Sequence, residues 1–141
     1  MINSFDLLNR IFDLLANDED MSYLLNIDLS KTGNDLLDIQ NNKLKREYQP
    51  AEYIKPSDAP FIAFYFMHSD KTKNNWLVNV GDLFIDIYTN NFYQASLITK
   101  RLRKLIADNL KILMVYEGQH YSGVTGVFKY RLIYNPLIDG K

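Results

Sequence analysis

A continuous apolar run, Phe61 to Phe66, constrains the fold of this chain more than any other feature of its sequence. The run has the length of a β-strand, and it lacks the polar–apolar alternation of a strand with one face in solvent. This pattern predicts a strand that is covered on both faces. The remaining elements follow from periodicity and capping residues. In chain order they are an amphipathic helix that begins near Ser4, a short helix at 21–26 capped by Asp18 or Asp20, strands at 61–66 and 77–89, a helix at 92–108 capped by Asn90 or Asn91, and strands at 111–117 and 126–134.

Between Asp28 and Pro60 this regularity is lost, and Pro, Asn and Gly residues interrupt the sequence. A connection this long is usually a functional arm, a lid or a disordered segment, so we predict an extended loop or arm over 29–58. Each pair of strands is joined by a loop short enough for an antiparallel hairpin. The predicted fold is therefore a single α+β domain over 1–141, with a mostly antiparallel sheet of about four strands, two packed helices and a long irregular arm.

The composition is that of an ordinary globular domain, with 47% hydrophobic and 23% charged residues. The chain has no Cys, which excludes disulfides, thiolate nucleophiles and cysteine-ligated metal sites. No apolar stretch approaches the roughly 20 residues that span a bilayer, and the first residues lack the pattern of a signal peptide. We therefore expect a soluble intracellular protein without a membrane partner.

The net charge of −1 conceals an uneven distribution along the chain. Residues 1–40 carry eight acidic and two basic side chains, whereas residues 41–141 carry nine acidic and fourteen basic ones. Opposite charge on two parts of a chain allows copies to stack or to form a ring, with the acidic side of one copy against the basic side of the next. The alternative is a well-solvated surface whose charges are simply uneven.

Two segments match part of a known site pattern, and each lacks a residue that the chemistry needs. The segment that begins at Asp28 has a glycine at the sixth position of a calcium loop, but Ile39 stands where a bidentate Glu is required, which favours an Asx turn. Gly118 and Gly123 have the spacing of a phosphate loop, but Val124 replaces the Lys, which favours a hairpin loop. We therefore expect no metal and no cofactor.

Residue types that serve in catalysis are present without a catalytic arrangement. His68 and His120 are the only histidines. Both fall in predicted loops, and neither has a Ser–Asp or Cys partner pattern nearby. Asp82 and Asp86 share a strand face, but at ~3.3 Å per residue they lie about 13 Å apart, too far for a retaining glycosidase pair. We do not expect an enzyme.

The sharpest charge cluster is basic and lies on the predicted helix at 92–108. Such a cluster can contact phosphates or an acidic protein surface, or it can be the solvated side of a helix with cations towards its C-terminal half. Phe128, Tyr130 and Tyr134 on the last strand could stack on bases, but the Gly-Phe-Val pattern of RNA-binding sheets is absent, and a core or interface is the other interpretation. The basic residues of the cluster are Lys100, Arg101, Arg103 and Lys104.

The order of these elements resembles that of a known class of proteins over nearly the whole chain. An N-terminal helix that ends in an acidic loop (5–20) precedes the arm, and a Pro-led apolar strand (59–65) follows it. Next come an alternating strand that ends in Asp86-Ile87-Tyr88, a helix (93–107) and a final aromatic strand (127–134). This layout resembles the small proteins that complete or terminate the tails of long-tailed bacteriophages and join them to the head.

The resemblance implies a structural function, as a tail terminator or head–tail joining subunit. Such proteins form a homo-oligomeric ring, often a hexamer, that caps the tail tube and docks it to the neck or connector protein. The implied location is the virion, after assembly in the host cytoplasm. The alternatives left open are a nucleic-acid-binding module that uses Lys100–Lys104, a neck or adaptor protein, and an enzyme with a site assembled from scattered residues. Nucleic acid is not the expected partner, because the chain is slightly acidic overall.

We assign the protein interface to the loop at 68–76, to the arm and to the basic helix. A Trp at the edge of a loop is a common interface anchor, and packing as a lid over the core is the alternative. The assigned residues are His68, Lys73, Trp76, Lys100, Arg101, Arg103, Lys104, Tyr48 and Tyr53.

Overall fold

The computed structural model describes residues 4–67 and 81–136 and confirms the α+β class. Within these ranges the chain forms four α-helices and one five-stranded, mostly antiparallel sheet. The helices are α1 (Ser4–Ala16), α2 (Glu19–Leu24), α3 (Gly33–Lys43) and α4 (Phe92–Asn109). The strands are β1 (Leu44–Lys45), β2 (Phe61–Met67), β3 (Asp82–Thr89), β4 (Leu113–His120) and β5 (Phe128–Asn135).

The strands lie in the order β1-β2-β3-β5-β4. The two predicted antiparallel pairs, β2–β3 and β4–β5, are confirmed, and β5 also pairs antiparallel with β3. Since β3 and β4 are both antiparallel to β5, they run in the same direction, and α4 crosses between them. β1 adds two residues in parallel to the far side of β2. The N-terminal part of the predicted strand at 77–89 lies outside the described residues.

One side of the sheet, which we call the helix face, packs against α1, α2 and α4 and forms the main core. Its strand residues alternate with residues of the other side, as the period of a β-strand requires. The helices contribute apolar stripes at helical spacing. The central members of this core are Leu7, Ile11 and Leu15 of α1, Ile62 and Phe64 of β2, Leu83, Ile85 and Ile87 of β3, Ile98, Leu102 and Ile106 of α4, and Leu132 of β5.

The opposite side of the sheet, which we call the loop face, is covered by residues 46–59 and by the loop at 121–127. Ile54 packs with Phe61, Ala63 and Tyr88 in a second apolar cluster, against which Val124 also packs. The side chains of β2 therefore alternate between two cores. This explains why Phe61–Phe66 is apolar throughout, and it confirms the prediction of a strand covered on both faces.

The prediction of an irregular arm over 29–58 is wrong for α3 at 33–43, for β1 at 44–45, and for two 3₁₀ turns at Ala51–Tyr53 and Pro56–Asp58. α3 has no fully buried residue, and only the partly buried Leu36 and Ile39 pack against the core. Gly and Asn residues give its sequence a low helix propensity. Tertiary contacts, which a single sequence does not display, therefore stabilise this helix.

Residues of this segment are bound to the rest of the domain by side-chain contacts. The Lys43 ammonium donates to the Pro60 carbonyl at 3.0 Å. The Arg46 guanidinium donates to Asn9 Oδ1 at 2.7 Å and lies over the Phe12 ring, 4.2 Å from its centroid. The segment therefore belongs to the folded domain and covers one face of its sheet.

The acidic loop after α1 has two roles that depend on one carboxylate. Asp18 caps α2, because its Oδ2 accepts a hydrogen bond from the Met21 amide at 2.8 Å. The same side chain pairs with Arg101 of α4, whose Nε donates to Oδ2 at 2.9 Å. The hydrogen bond from Arg101 holds the pKa of Asp18 below its usual range; burial opposes this effect, and the Met21 amide adds to it. Asp18 therefore connects the N-terminal helices to α4.

Replacing Asp18 with Ala is expected to lower the free energy of unfolding by about 1–3 kcal/mol at pH 7, because the cap and the ion pair are both lost. The folded-state pKa of Asp18 is depressed, so its electrostatic contribution is present above the unfolded value of 3.8 and is lost as the pH falls below 3.8 and through the lower folded-state pKa. The difference between wild type and variant should therefore narrow at pH 3. Urea unfolding at pH 7 and at pH 3, followed by circular dichroism, measures the loss and its decrease at low pH. Asp20→Ala is the matched control, since that carboxylate is 76% exposed and 3.8 Å from Arg101; equal losses for the two variants would contradict the role of Asp18.

Candidate functional site

The structure places the predicted interface residues on two opposite faces of the sheet. His68, Lys73 and Trp76 lie outside the described residues. Tyr48 and Tyr53 lie in the segment that covers the loop face, where the Tyr48 ring packs edge-on against Tyr65 at 5.6 Å. The four basic residues lie on α4, which packs against the helix face. The two groups therefore cannot form one continuous site within a single copy.

Most of the basic cluster on α4 is neutralised by carboxylates. The free cation is Lys100, which has no ion-pair partner in the described ranges. A cluster with so little uncompensated charge is poorly suited to bind phosphates, and this argues against a nucleic-acid surface built on α4. The pairs are Arg101 with Asp18, Arg103 with Glu117 at 3.2 Å, and Lys104 with Asp108 at 3.0 Å.

A cleft of about 450 Å³ lies on the helix face between α4 and strands β4 and β5. Phe92 and Phe128 meet edge to face beside it, with 6.0 Å between their ring centroids. Ala95 and Tyr130 extend the apolar lining, and the ion pair between Arg103 and Glu117 adds charged groups to it. The cleft has the size and the mixed lining of sites that bind small ligands or single large side chains.

Two polar groups in the cleft have no partner in the described part of the chain. The Thr99 hydroxyl is buried and makes no hydrogen bond, and only 9% of the residue is exposed. The Lys100 ammonium, one residue further along α4, is the unpaired cation described above. A buried hydroxyl without a partner costs free energy that a bound group could recover. The cleft therefore suits an aromatic or aliphatic group that also offers a hydrogen-bonding atom and a negative charge.

Beside the cleft, strand β4 forms the outer edge of the sheet, and no described strand pairs with its outer side. Three large apolar residues are exposed on this strand: Leu113 (54%), Val115 (51%) and Tyr116 (43%). An open strand edge with apolar side chains is a template for association with another chain. We call the β4 edge together with the adjacent cleft the cleft flank of the molecule.

Phe92 and the exposed residues of β4 were not among the predicted interface residues. Phe92 comes directly after the helix cap Asn91, and an aromatic residue at the exposed start of a helix is the signal that could have identified it. In β4, the run from Leu113 to Tyr116 is apolar without alternation. In a buried strand that pattern indicates two cores, whereas here it marks an exposed edge, so the position of the strand in the sheet was needed to interpret it.

The loop face holds a buried ionic cluster that the sequence analysis did not assemble. Asp86 of β3 is fully buried, and Arg131 of β5 donates from Nε to its Oδ1 at 2.7 Å. The Tyr65 hydroxyl of β2 donates to Oδ2 at 2.6 Å. Lys129 Nζ lies 3.7 Å from the same oxygen. The register places Asp86 opposite Arg131, and this pairing depends on β3 lying next to β5, which local pattern did not indicate.

The electrostatics of this cluster match its burial. Burial raises the pKa of the Tyr65 hydroxyl, and the hydrogen bond to Asp86 raises it further. Burial lowers the pKa of Lys129; Asp86 opposes this effect, and Arg131 adds to it. Both oxygens of Asp86 accept hydrogen bonds, and the carboxylate is fully buried, so it is engaged in packing the loop face.

The two partial motifs of the sequence have structural explanations, as predicted. Asp28 Oδ1 accepts hydrogen bonds from the Ser30 amide at 3.0 Å and the Ser30 hydroxyl at 2.6 Å, which confirms the Asx turn. Gly123 lies in the loop that joins the antiparallel strands β4 and β5, which confirms the hairpin, whereas Gly118 lies within β4 and not in the loop.

The prediction that His120 lies in a loop is wrong, because it is the last residue of β4. Its Nε2 lies 3.1 Å from the Tyr116 hydroxyl on the same side of the strand. Burial lowers the pKa of His120, and the charges of Arg131 and Lys129 lower it further.

Comparison with protein-family models, with curated proteins and with solved structures finds no match to this chain. None of the helices in 4–67 and 81–136 is long and apolar enough to cross a bilayer. In the same ranges, no three His, Cys, Asp or Glu side chains converge as ligands for a metal ion.

Replacing Asp86 with Ala is expected to lower the free energy of unfolding by about 3–5 kcal/mol, because Arg131 and Lys129 would then be buried without a counter-charge. Urea unfolding at pH 7 measures the loss. Asp82→Ala is the control on the same strand, since Asp82 is only partly buried and has no partner in the cluster; its loss should stay below about 1 kcal/mol. A loss for Asp86→Ala as small as that of the control would show that the cluster does not stabilise the fold.

Proposed function

We propose that this protein is a non-catalytic structural subunit that self-associates into a ring, as the tail terminator or head–tail joining subunit of a long-tailed bacteriophage. In this role the ring, often a hexamer among the proteins that the sequence resembles, caps the tail tube and docks it to the neck or connector protein. The subunit needs no cofactor for this role. It functions in the virion, after assembly in the host cytoplasm.

The observation that carries the proposal is the cleft flank. Leu113, Val115 and Tyr116 expose apolar surface on a strand whose outer side is unpaired, and the aromatic cleft adjoins the same strand on the helix face. Leu113 and Tyr116 stand opposite Asn135 and Ile133, so they extend the apolar surface of this edge towards the loop face. Exposed apolar surface at an open strand edge marks a contact site for other chains. A contact that buries it against a different surface of the next copy is head-to-tail, and such contacts close into rings when the rotation between copies permits.

The charge distribution supports a head-to-tail contact. Residues 1–40 are mainly acidic and residues 41–141 mainly basic. Some of these opposite charges pair within one copy, as Asp18 does with Arg101. Other charges face solvent: α4 and the residues after it expose Lys100 and Lys111, whereas α1, α2 and α3 expose a larger set of carboxylates. Opposite surface charges on one molecule favour the approach of copies in a single orientation. The exposed carboxylates of this set are Asp6, Asp13, Glu19, Asp20, Asp35 and Asp38.

The neutralisation of the α4 cluster weakens the alternative of a nucleic-acid-binding module. A neck or adaptor protein would use the same kind of surface, and it differs from a tail terminator in whether the isolated protein closes into a ring.

Native mass spectrometry of the purified protein, followed by negative-stain imaging, is expected to show a closed ring of about six subunits. Val115→Lys places a charge on the β4 edge and should yield monomers, whereas Leu37→Lys, at an exposed apolar position on α3, should leave the ring intact. A wild-type protein that is monomeric at every concentration would contradict self-association. The neck or adaptor role would then be the better explanation, and titration with nucleic acid at several salt concentrations would test the remaining alternative.

A further inference from the structure

The cleft on the helix face specifies the chemistry of its occupant. The rings of Phe92 and Phe128 favour an aromatic group, which they can contact at their edges and faces. The buried hydroxyl of Thr99 requires a partner that can donate or accept a hydrogen bond. The unpaired ammonium of Lys100 favours a carboxylate close to that ring. A tyrosine with a neighbouring acidic residue satisfies all three conditions.

The chain itself presents such a group on α2. Tyr23 is 81% exposed, one of the most exposed aromatic side chains in the described residues. Glu19 lies four positions before Tyr23 on the same helix, so the two side chains are on the same face of α2. Glu19 is exposed and has no ion-pair partner in the described ranges. Asp20, three positions before Tyr23, lies near Arg101 of its own copy and leaves Glu19 as the available carboxylate.

The other exposed tyrosines with acidic neighbours fit less well. Tyr116 is followed directly by Glu117, which pairs with Arg103 of its own copy. In Tyr48 and Tyr53, the acidic residue is the one directly before the tyrosine, Glu47 or Glu52. Adjacent side chains in a turn point in different directions, so the ring and the carboxylate do not approach a partner together. Both tyrosines also belong to the segment that covers the loop face, where Tyr48 already packs against Tyr65.

The position of α2 excludes insertion of Tyr23 into the cleft of its own copy. Arg101, which contacts the start of α2, and Phe92, which lines the cleft, are nine residues apart on α4. At 3.6 residues per turn, this separation places them about half a turn apart around the helix axis. α2 and the cleft therefore lie on opposite sides of α4, and Tyr23 can reach only the cleft of a second copy.

We propose that Tyr23 and Glu19 of one copy bind the cleft of the next copy, with the Tyr23 ring packed against Phe92 and Phe128, its hydroxyl on Thr99 and Glu19 paired with Lys100. This inference rests on the proposed function, because it specifies the contact through which subunits self-associate. The two surfaces differ and lie on opposite sides of α4, so the contact is head-to-tail and leaves one free cleft and one free Tyr23 on any open chain of subunits. The unpaired edge of β4, which adjoins the cleft, adds to the area that a stable interface needs.

The first test separates the ring of Tyr23 from its hydroxyl. Tyr23→Ala should abolish the oligomer in native mass spectrometry, while Tyr23→Phe should weaken subunit association several-fold, up to about tenfold, for the loss of one hydrogen bond. In a Thr99→Val background, Tyr23→Phe should have no further effect, because the hydroxyl has lost its partner. Phe5→Ala, at another highly exposed aromatic residue, is the control and should leave association unchanged. An equal effect of Tyr23→Phe in both backgrounds would overturn the assignment of Thr99.

The second test uses charge reversal. Lys100→Glu and Glu19→Lys should each weaken association, and the double variant should restore it, since the pair is re-formed with opposite sign. Lys104→Glu is the matched control, because Lys104 is on the same helix outside the cleft and pairs with Asp108 of its own copy. Absence of rescue by the double variant would show that the two side chains do not pair.

A mixing experiment tests the polarity of the contact. Ser96 lines the cleft and is exposed, so Ser96→Trp fills the cleft while keeping Tyr23 available. Neither Ser96→Trp nor Tyr23→Ala should assemble alone, and their mixture should form one-to-one dimers and nothing larger. Circular dichroism and thermal unfolding of each variant confirm that it is folded. A wild-type oligomer that survives both variants would overturn this contact and leave self-association standing, whereas one-to-one dimers from the mixture without a wild-type ring would support the contact and contradict the ring.

Discussion

Three adjacent strands meet around the buried carboxylate of Asp86, and the packing of the loop face depends on this interaction. Arg131 and Tyr65 reach it from the strands on either side, so the hydrogen bonds cross the middle of the sheet perpendicular to the strands. The desolvation of three ionic or polar groups is offset only because each finds a partner there. The cluster thereby links β2, β3 and β5. It also forms part of the surface against which residues 46–59 pack.

Local pattern was sufficient to predict the elements whose contacts lie within one helix or one strand. The two amphipathic helices, the caps at Asp18 and Asn91 and the strands with apolar runs or alternation are present in the structure. The features that were missed depend on residues distant in sequence. α3 is stabilised by contacts of Leu36 and Ile39 with the core, and the ionic cluster requires β3 beside β5. The basic residues of α4 show the same contrast. Their pattern is visible in the sequence, whereas the carboxylates that neutralise them come from other elements or pair with them only in the fold.

The ion pairs of α4 also change the functional interpretation of that helix. Arg101 is directed inwards to Asp18, and its role is to hold the N-terminal helices against the sheet. What remains for contact with other molecules is the far side of the helix, where Thr99 and Lys100 border an aromatic cleft. One side of the helix thus serves stability, and the other side carries the proposed contact. Because different residues of α4 are involved, the proposed self-association can be tested by substitution separately from the integrity of the fold.

The two edges of the sheet differ in length, and this difference limits how far strand pairing between copies can extend. β4 offers eight residues, whereas the described sheet ends on its other side in the two residues Leu44 and Lys45. A short edge strand with a charged residue is a common protection against edge-to-edge aggregation. A chain that pairs at β4 therefore presents no comparable template at its far edge, and growth of a continuous cross-β fibre from the native state stops after one addition. The protein can therefore associate with other chains through the β4 edge without forming an amyloid-like fibre.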